Sequence, residues 1–244
     1  MSPNAFLNDS ETGGKKYELG GELRRLVTSM NEIKTSAENI HRMDDRYGNQ
    51  ITGGMGSIKS VGEEARGNYS LFGEIRENAS RMQSEIIREM DKSAQSTRAD
   101  TQQIDTSEVQ KILEGITDEN KGERIDALLK VQDRLSAFYH SFAKERFESL
   151  NTRNHIRDSV EETVSKGISV NRRALEEEQT LKIKDERITT VARKFRSRTV
   201  SFAEFVGTIN SKAQTFEAEN LEHMEENFKE FNRLVTTVKN KTES

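Results

Sequence analysis

The side chains that could do chemistry are few and scattered. The four histidines, His41, His140, His155 and His223, stand far apart in the chain. No His-Glu-x-x-His pair, Cys/His cluster or paired-carboxylate signature accompanies them, so their spacing supports neither a metal centre nor acid–base catalysis. There is no cysteine, which excludes disulfides, Cys-based zinc sites and thiol chemistry. Residues 53–59 (GGMGSIK) are superficially like a phosphate loop. They lack the Gly-x4-Gly-Lys-Ser/Thr spacing and follow no apolar strand, so small residues at a close helix contact are the better reading. No Gly-x-Ser-x-Gly elbow exists. The sequence predicts no enzyme, no metal and no cofactor.

Charge is patterned more informatively. Lys182, Lys184, Arg187, Arg193, Lys194, Arg196 and Arg198 form a basic band, diluted only by Asp185 and Glu186. Lys130, Arg134, Lys144 and Arg146 form a smaller basic group, and an acidic band follows at Glu217, Glu219, Glu222, Glu225, Glu226 and Glu230. Such runs are either solvated surface, paired at i,i+4 for ~0.2–0.5 kcal/mol each, or a patch for an acidic partner such as anionic lipid. A net charge of −4 gives no general pull toward nucleic acid. Any attraction to an acidic surface has to be local.

The elements that would position these groups are helices. An apolar stripe with steps of three or four covers residues 19–90, from Leu19, Leu23, Leu26 and Met30 through Ile40, Met43, Tyr47 and Ile51 to Met90. A second covers 125–164 and includes Phe138, Phe142, Leu150 and Ile156. A third covers 181–238, with Phe195, Phe202, Phe205, Phe216, Phe228 and Phe231 expected as its packing face. A helix of ~60 residues would be about 90 Å long. Only 32% of residues are hydrophobic against 33% charged, too little apolar material for a sandwich, a barrel or a compact α/β enzyme. Adjacent apolar pairs such as Leu26-Val27, Leu128-Leu129 and Leu234-Val235 widen the stripe beyond the two-in-seven seam of a thin coiled coil. The expectation is an all-α, elongated bundle of long helices, completed by a second chain.

Punctuation sets the boundaries. Seven glycines lie at Gly48, Gly53, Gly54, Gly56, Gly62, Gly67 and Gly73, each costing a helix interior about 1 kcal/mol relative to Ala. Either close packing holds the helix there or the chain turns back, with a turn favoured near Gly67-Asn68. Polar segments 93–106 and 117–122 read as breaks, with Asp105 or Thr106 capping a new helix. The expected organisation is a non-helical head over 1–16 and one helical domain over 17–240. Its helices run roughly over 17–66, 69–165 with those breaks, and 169–240, Gly167 marking the last division. No apolar run approaches the roughly 20 residues of a membrane span, and the N-terminus shows no apolar signal region. These point to a cytoplasmic protein, peripheral on any membrane it meets.

Three phrases resemble the BAR and F-BAR domain superfamily. Residues 38–47 (ENIHRMDDRY) are similar to that family's charged stretch leading to a Tyr. Residues 69–87 (YSLFGEIRENASRMQSEII) resemble the opening of its second long helix, and 202–234 its last. The resemblance implies three long helices, an antiparallel homodimer and non-enzymatic binding to anionic membrane lipids, whose curvature it would impose or sense. It implies trafficking or cytoskeletal proteins as further partners and no nucleic acid. On this resemblance the two basic groups, Lys182 to Arg198 and Lys130 to Arg146, are the candidate membrane contacts. Phrases such as ALEEE at 174–178 are similar instead to cytoskeletal coiled-coil rods, which gives the alternative of a microtubule-associated fibre protein.

Overall fold

A computed structural model describes residues 13–67, 69–96, 98–114, 116–117, 119–181 and 186–243. Among the described residues the chain is all-α: α1 (Gly13–Glu64), α2 (Ser70–Gln95), α3 (Thr106–Glu114), α4 (Lys121–Leu181) and α5 (Glu186–Glu243), with a 3₁₀ turn at Thr101–Gln103. Helices α1, α4 and α5 contain 52, 61 and 58 residues. Each contributes to both of two compact units. None of the described helices is long and apolar enough to cross a membrane.

The first unit combines residues 1–40, 99–142 and 218–244. Leu26, Met30, Ile33 and Ala37 of α1, Leu128, Val131, Leu135 and Phe138 of α4, and Phe231, Leu234, Val235 and Val238 of α5 are buried there. Helix α3 is capped by the preceding Asp105, whose Oδ1 accepts the Ser107 N–H at 2.9 Å, a bond that meets one of the helix's unpaired donors. The Phe228 ring stacks on Tyr139 with centroids 4.6 Å apart.

The second unit combines residues 41–98 and 143–217 and is a four-helix bundle. Contacts from Gly48 to Met90 and from Gly62 to Ala79 run α2 antiparallel to α1. Ion pairs from Arg81 to Glu162 and from Arg173 to Glu74 run α4 antiparallel to α2. The contact of Gly167 with Thr199 and the hydrogen bond from Thr189 to Glu178 run α5 antiparallel to α4. The order is therefore up-down-up-down. Its core holds Ile51, Met55 and Ile58 of α1, Phe72, Ile75 and Met82 of α2, Ile156 and Val160 of α4, and Phe195, Phe202 and Val206 of α5.

Close packing explains Gly48, Gly54 and Gly62, while Gly53 and Gly56 face open space. The chain does reverse between Glu64 and Ser70, Asn68 lying outside the described residues, yet α1 runs unbroken through Gly48, Gly53, Gly54, Gly56 and Gly62. A methyl group on Gly54 would stand 2.7 Å from the Phe202 ring and 3.1 Å from that of Phe205. On Gly62 it would stand 3.2 Å from Ala79 Cβ. The expected division at Gly167 is corrected: α4 continues to Leu181. A side chain at Gly167 would meet Thr199 Oγ1 at 3.0 Å, so this glycine admits α5 rather than ending α4. The last helix consequently starts at Glu186, not at 169.

Two neighbouring glycines separate helix propensity from packing. Gly53→Ala, with nothing within 4 Å of the added methyl, is expected to raise stability by about 0.5–1 kcal/mol. Gly54→Ala gains the same propensity but overpacks Phe202. It should be less stable than Gly53→Ala by about 1–3 kcal/mol. Urea midpoints of the two variants measure the difference, and equal midpoints would show that α1 and α5 do not approach at Gly54.

Candidate functional site

The densest cluster of chemically capable side chains lies inside the second unit, in positions expected to be apolar. Counting from Phe142 along α4 in steps of four and three gives Arg146, Ser149, Arg153 and Ile156, which share one stripe. All are buried, Arg153 to 3% exposure. Counting from Ile40 along α1 gives Asp44, Tyr47 and Ile51, and from Ile209 along α5 gives Ala213 and Glu217. The inward stripes of three helices thus carry Asp44, Arg146, Arg153 and Glu217 where a plain core would have Leu or Ile.

These groups bond to one another. Asp44 accepts Arg146 Nη2 at 2.6 Å, Arg153 Nη1 at 3.3 Å and Ser149 Oγ at 3.3 Å. Arg153 Nη2 donates to Glu217, and Arg146 Nη1 lies 3.9 Å from the same carboxylate. Glu145 takes Arg146 Nη2 at 3.0 Å and lies 2.9 Å from His41 Nε2. Three carboxylates, two guanidiniums and one imidazole therefore meet. Burial works against the Arg146 charge. The Asp44 hydrogen bond, with the charges of Asp44, Glu217 and Glu145, outweighs burial and lifts its pKa above the usual arginine value.

A cavity of about 490 Å³ opens beside the cluster, lined by Asp44, Tyr47, Met90, Arg98, Arg146 and Arg153 among others. Arg98 bonds Asp45 at 2.7 Å at its rim. The guanidiniums here already hold carboxylates, so the arrangement neutralises charge internally. It presents no nucleophile–base pair and, among the described residues, no group of three His, Cys, Asp or Glu that could hold a metal ion. The ion pairs join α1, α4 and α5.

This placement corrects three expectations. Arg146 is 5% exposed and tied to Asp44, so it cannot reach a lipid surface. Phe216 is 38% exposed, because Glu217 takes the inward position after Ala213. Of the other aromatics on α5, Phe195, Phe202 and Phe231 are buried, and Phe205 and Phe228 are half-buried. Leu150 is likewise exposed at 36%, its place in the stripe being held by Ser149 and Arg153.

The remaining basic candidates lie outside. Lys130 and Arg134 are exposed in the first unit, where Arg134 bonds Glu108. Lys144 is exposed, 3.8 Å from Glu148. Arg187, Arg193, Lys194, Arg196 and Arg198 are all exposed on α5 in the second unit. Lys182 and Lys184 lie outside the described residues. At about 100° per residue, the five α5 cations divide into two flanks. Arg187, Lys194 and Arg198 gather on the α1 side, where Lys194 meets Glu64 at 2.8 Å. Arg193 and Arg196 lie on the α4 side. No protein-family model, no curated protein and no solved structure matches this chain.

The buried phenol at the cavity makes a pH prediction. Burial raises the Tyr47 pKa above the tyrosine value of about 10; Arg153 pulls it down and Asp44 pushes it up, both less strongly. The folded state therefore keeps this phenol neutral where the unfolded state ionises it. Its contribution is complete below about pH 10 and is lost as pH rises toward the folded pKa. Tyr47→Phe should flatten the fall of unfolding free energy between about pH 10 and 12. An unchanged alkaline slope would place Tyr47 in contact with water.

Proposed function

We propose that the chain is a non-enzymatic, BAR-like scaffold that pairs with a second copy and binds anionic membranes, whose curvature it imposes or senses. The observation that carries this is the surface of α5 over 187–203. That stretch has five cations and no carboxylate, and all five are exposed. In most of this chain acids and bases alternate and pair at i,i+3 or i,i+4, as in Lys166–Glu162, Lys229–Glu225 and Arg233–Glu230. Along α5, Arg193, Arg196 and Arg198 have no acid at those spacings. Among the described residues no carboxylate bonds them. A run of exposed, unneutralised guanidiniums on a rigid helix suits phosphate-bearing headgroups, which attract each basic side chain within a Debye length.

The buried ionic cluster supports the scaffold part of the reading. Its ion pairs tie α1, α4 and α5 together, as a rigid scaffold requires.

The test replaces Arg193, Lys194, Arg196 and Arg198 together with Gln, which largely keeps helix propensity. The unmodified chain should co-sediment with vesicles containing phosphatidylserine. The substituted chain should bind at least about tenfold more weakly with unchanged circular dichroism. A chain that ignores such vesicles but pellets with microtubules would replace this reading with the cytoskeletal one.

A further inference from the structure

The α5 flank carrying Arg193 and Arg196 continues onto α4. Helices α4 and α5 meet at Gly167, against which Thr199 and Phe195 pack, and at Glu178, which accepts the Thr189 hydroxyl at 2.7 Å. Taking Gly167 as zero and about 100° per residue, Glu178 lies within about 20° of it. Leu175, Ile168 and Arg172 lie about 80–140° round. The contacts of α4 with α2, at Glu162 and Arg173, lie about 220–240° round. Ile168, Leu175 and Arg172 therefore stand beside the α4–α5 seam, on its outer side and away from α2.

On α5 the same construction starts from Thr199, which faces α4. Arg196 and then Arg193 follow, about 60° and 120° further round, before the α1 side is reached at Lys194 and its partner Glu64. The two outer flanks border one seam. Ile168 is 48% exposed and Leu175 39%, and the same unit also exposes Tyr69, Ile87, Phe147, Leu150 and Phe216. Ile168 differs in its charge surroundings: neither 163–175 of α4 nor 187–203 of α5 contains a carboxylate, and the carboxylates that border the α4 stretch, Glu162 and Glu176, are paired with Arg81 and Lys166 and with Arg172. Large apolar side chains left in the open are informative when charge of one sign surrounds them.

We propose that this α4–α5 face is the surface that meets the membrane, with Ile168 and Leu175 entering the headgroup boundary of an anionic bilayer while Arg193 and Arg196 hold its phosphates. The inference rests on the membrane reading above and adds the face, and insertion beyond electrostatic contact. Charge complementarity selects the occupant. A second copy laid on this face would bring Arg193 and Arg196 close to their own counterparts, with no acid within four residues of either on α5 to offset them. An anionic bilayer supplies both the negative charge and the apolar layer beneath it.

The chain has no tryptophan, so one introduced residue reports alone. Ile168→Trp in the full chain is titrated with phosphatidylserine/phosphatidylcholine vesicles and with phosphatidylcholine vesicles. The expected result is a blue shift and quenching by brominated lipid with the anionic vesicles only. A companion variant, Ile168→Gln with Leu175→Gln, should partition about tenfold more weakly while keeping the helical signal. Co-sedimentation without any emission shift would overturn the face and leave the membrane reading standing. Failure to co-sediment would remove both. A blue shift that grows with protein concentration in the absence of vesicles would assign the face to a second copy and overturn the proposal.

Discussion

The second unit depends on one buried set of ion pairs. Asp44, Arg146, Arg153 and Glu217 sit at inward positions of α1, α4 and α5, where a charge alone would be expelled. Each is tolerated because the others are placed to meet it. Removing one partner from a buried pair generally costs about 3–5 kcal/mol, whereas replacing a whole pair with apolar groups is often neutral. The cluster is therefore better understood as specification than as glue. Two long apolar stripes can slide past each other by a heptad with little loss. Asp44 cannot, because it must find both Arg146 and Arg153, one heptad apart on α4, and Ser149 between them.

That register decides what else the unit presents. With α5 held by Glu217 at one end and by the Gly167–Thr199 contact further along, its basic flank comes beside the acid-free stretch of α4. A shift of one heptad would separate Ile168 and Leu175 from Arg193 and Arg196. The glycines act in the same direction by a different force. Gly54, Gly62 and Gly167 each accept a neighbouring side chain where even a methyl group would crowd it. Ion pairs choose the alignment, and small residues let the helices approach closely enough to keep it.

The helical class was legible because a period of three and four over 19–90, 125–164 and 181–238 has few alternatives. The turn near Gly67 and the cap at Asp105 were legible from residue type. Reading only apolar residues hid the cluster. The apolar stripe runs through Met43, Leu150 and Phe216, each one residue from Asp44, Ser149 and Glu217, which face inward. The signal was present as a gap: between Phe142 and Ile156 regular steps land on Arg146, Ser149 and Arg153, which are polar and evenly spaced. Arg146 was assigned to the surface for the same reason. Gly167 misled because propensity marks a glycine as a break, while the neighbouring helix that makes it useful is about thirty residues further on. The division of the five α5 cations into flanks required the helix contacts themselves.

A double-mutant cycle on Arg153 and Glu217 tests the central claim most directly. Unfolding free energies are compared for the original chain, Arg153→Met, Glu217→Met and the pair. The account predicts that each single change costs about 3–5 kcal/mol, through the charge it strands. The pair should cost at least 2 kcal/mol less than the sum of the two. Costs that add to within about 0.5 kcal/mol would mean the two side chains do not meet, and the register built on that contact would be wrong.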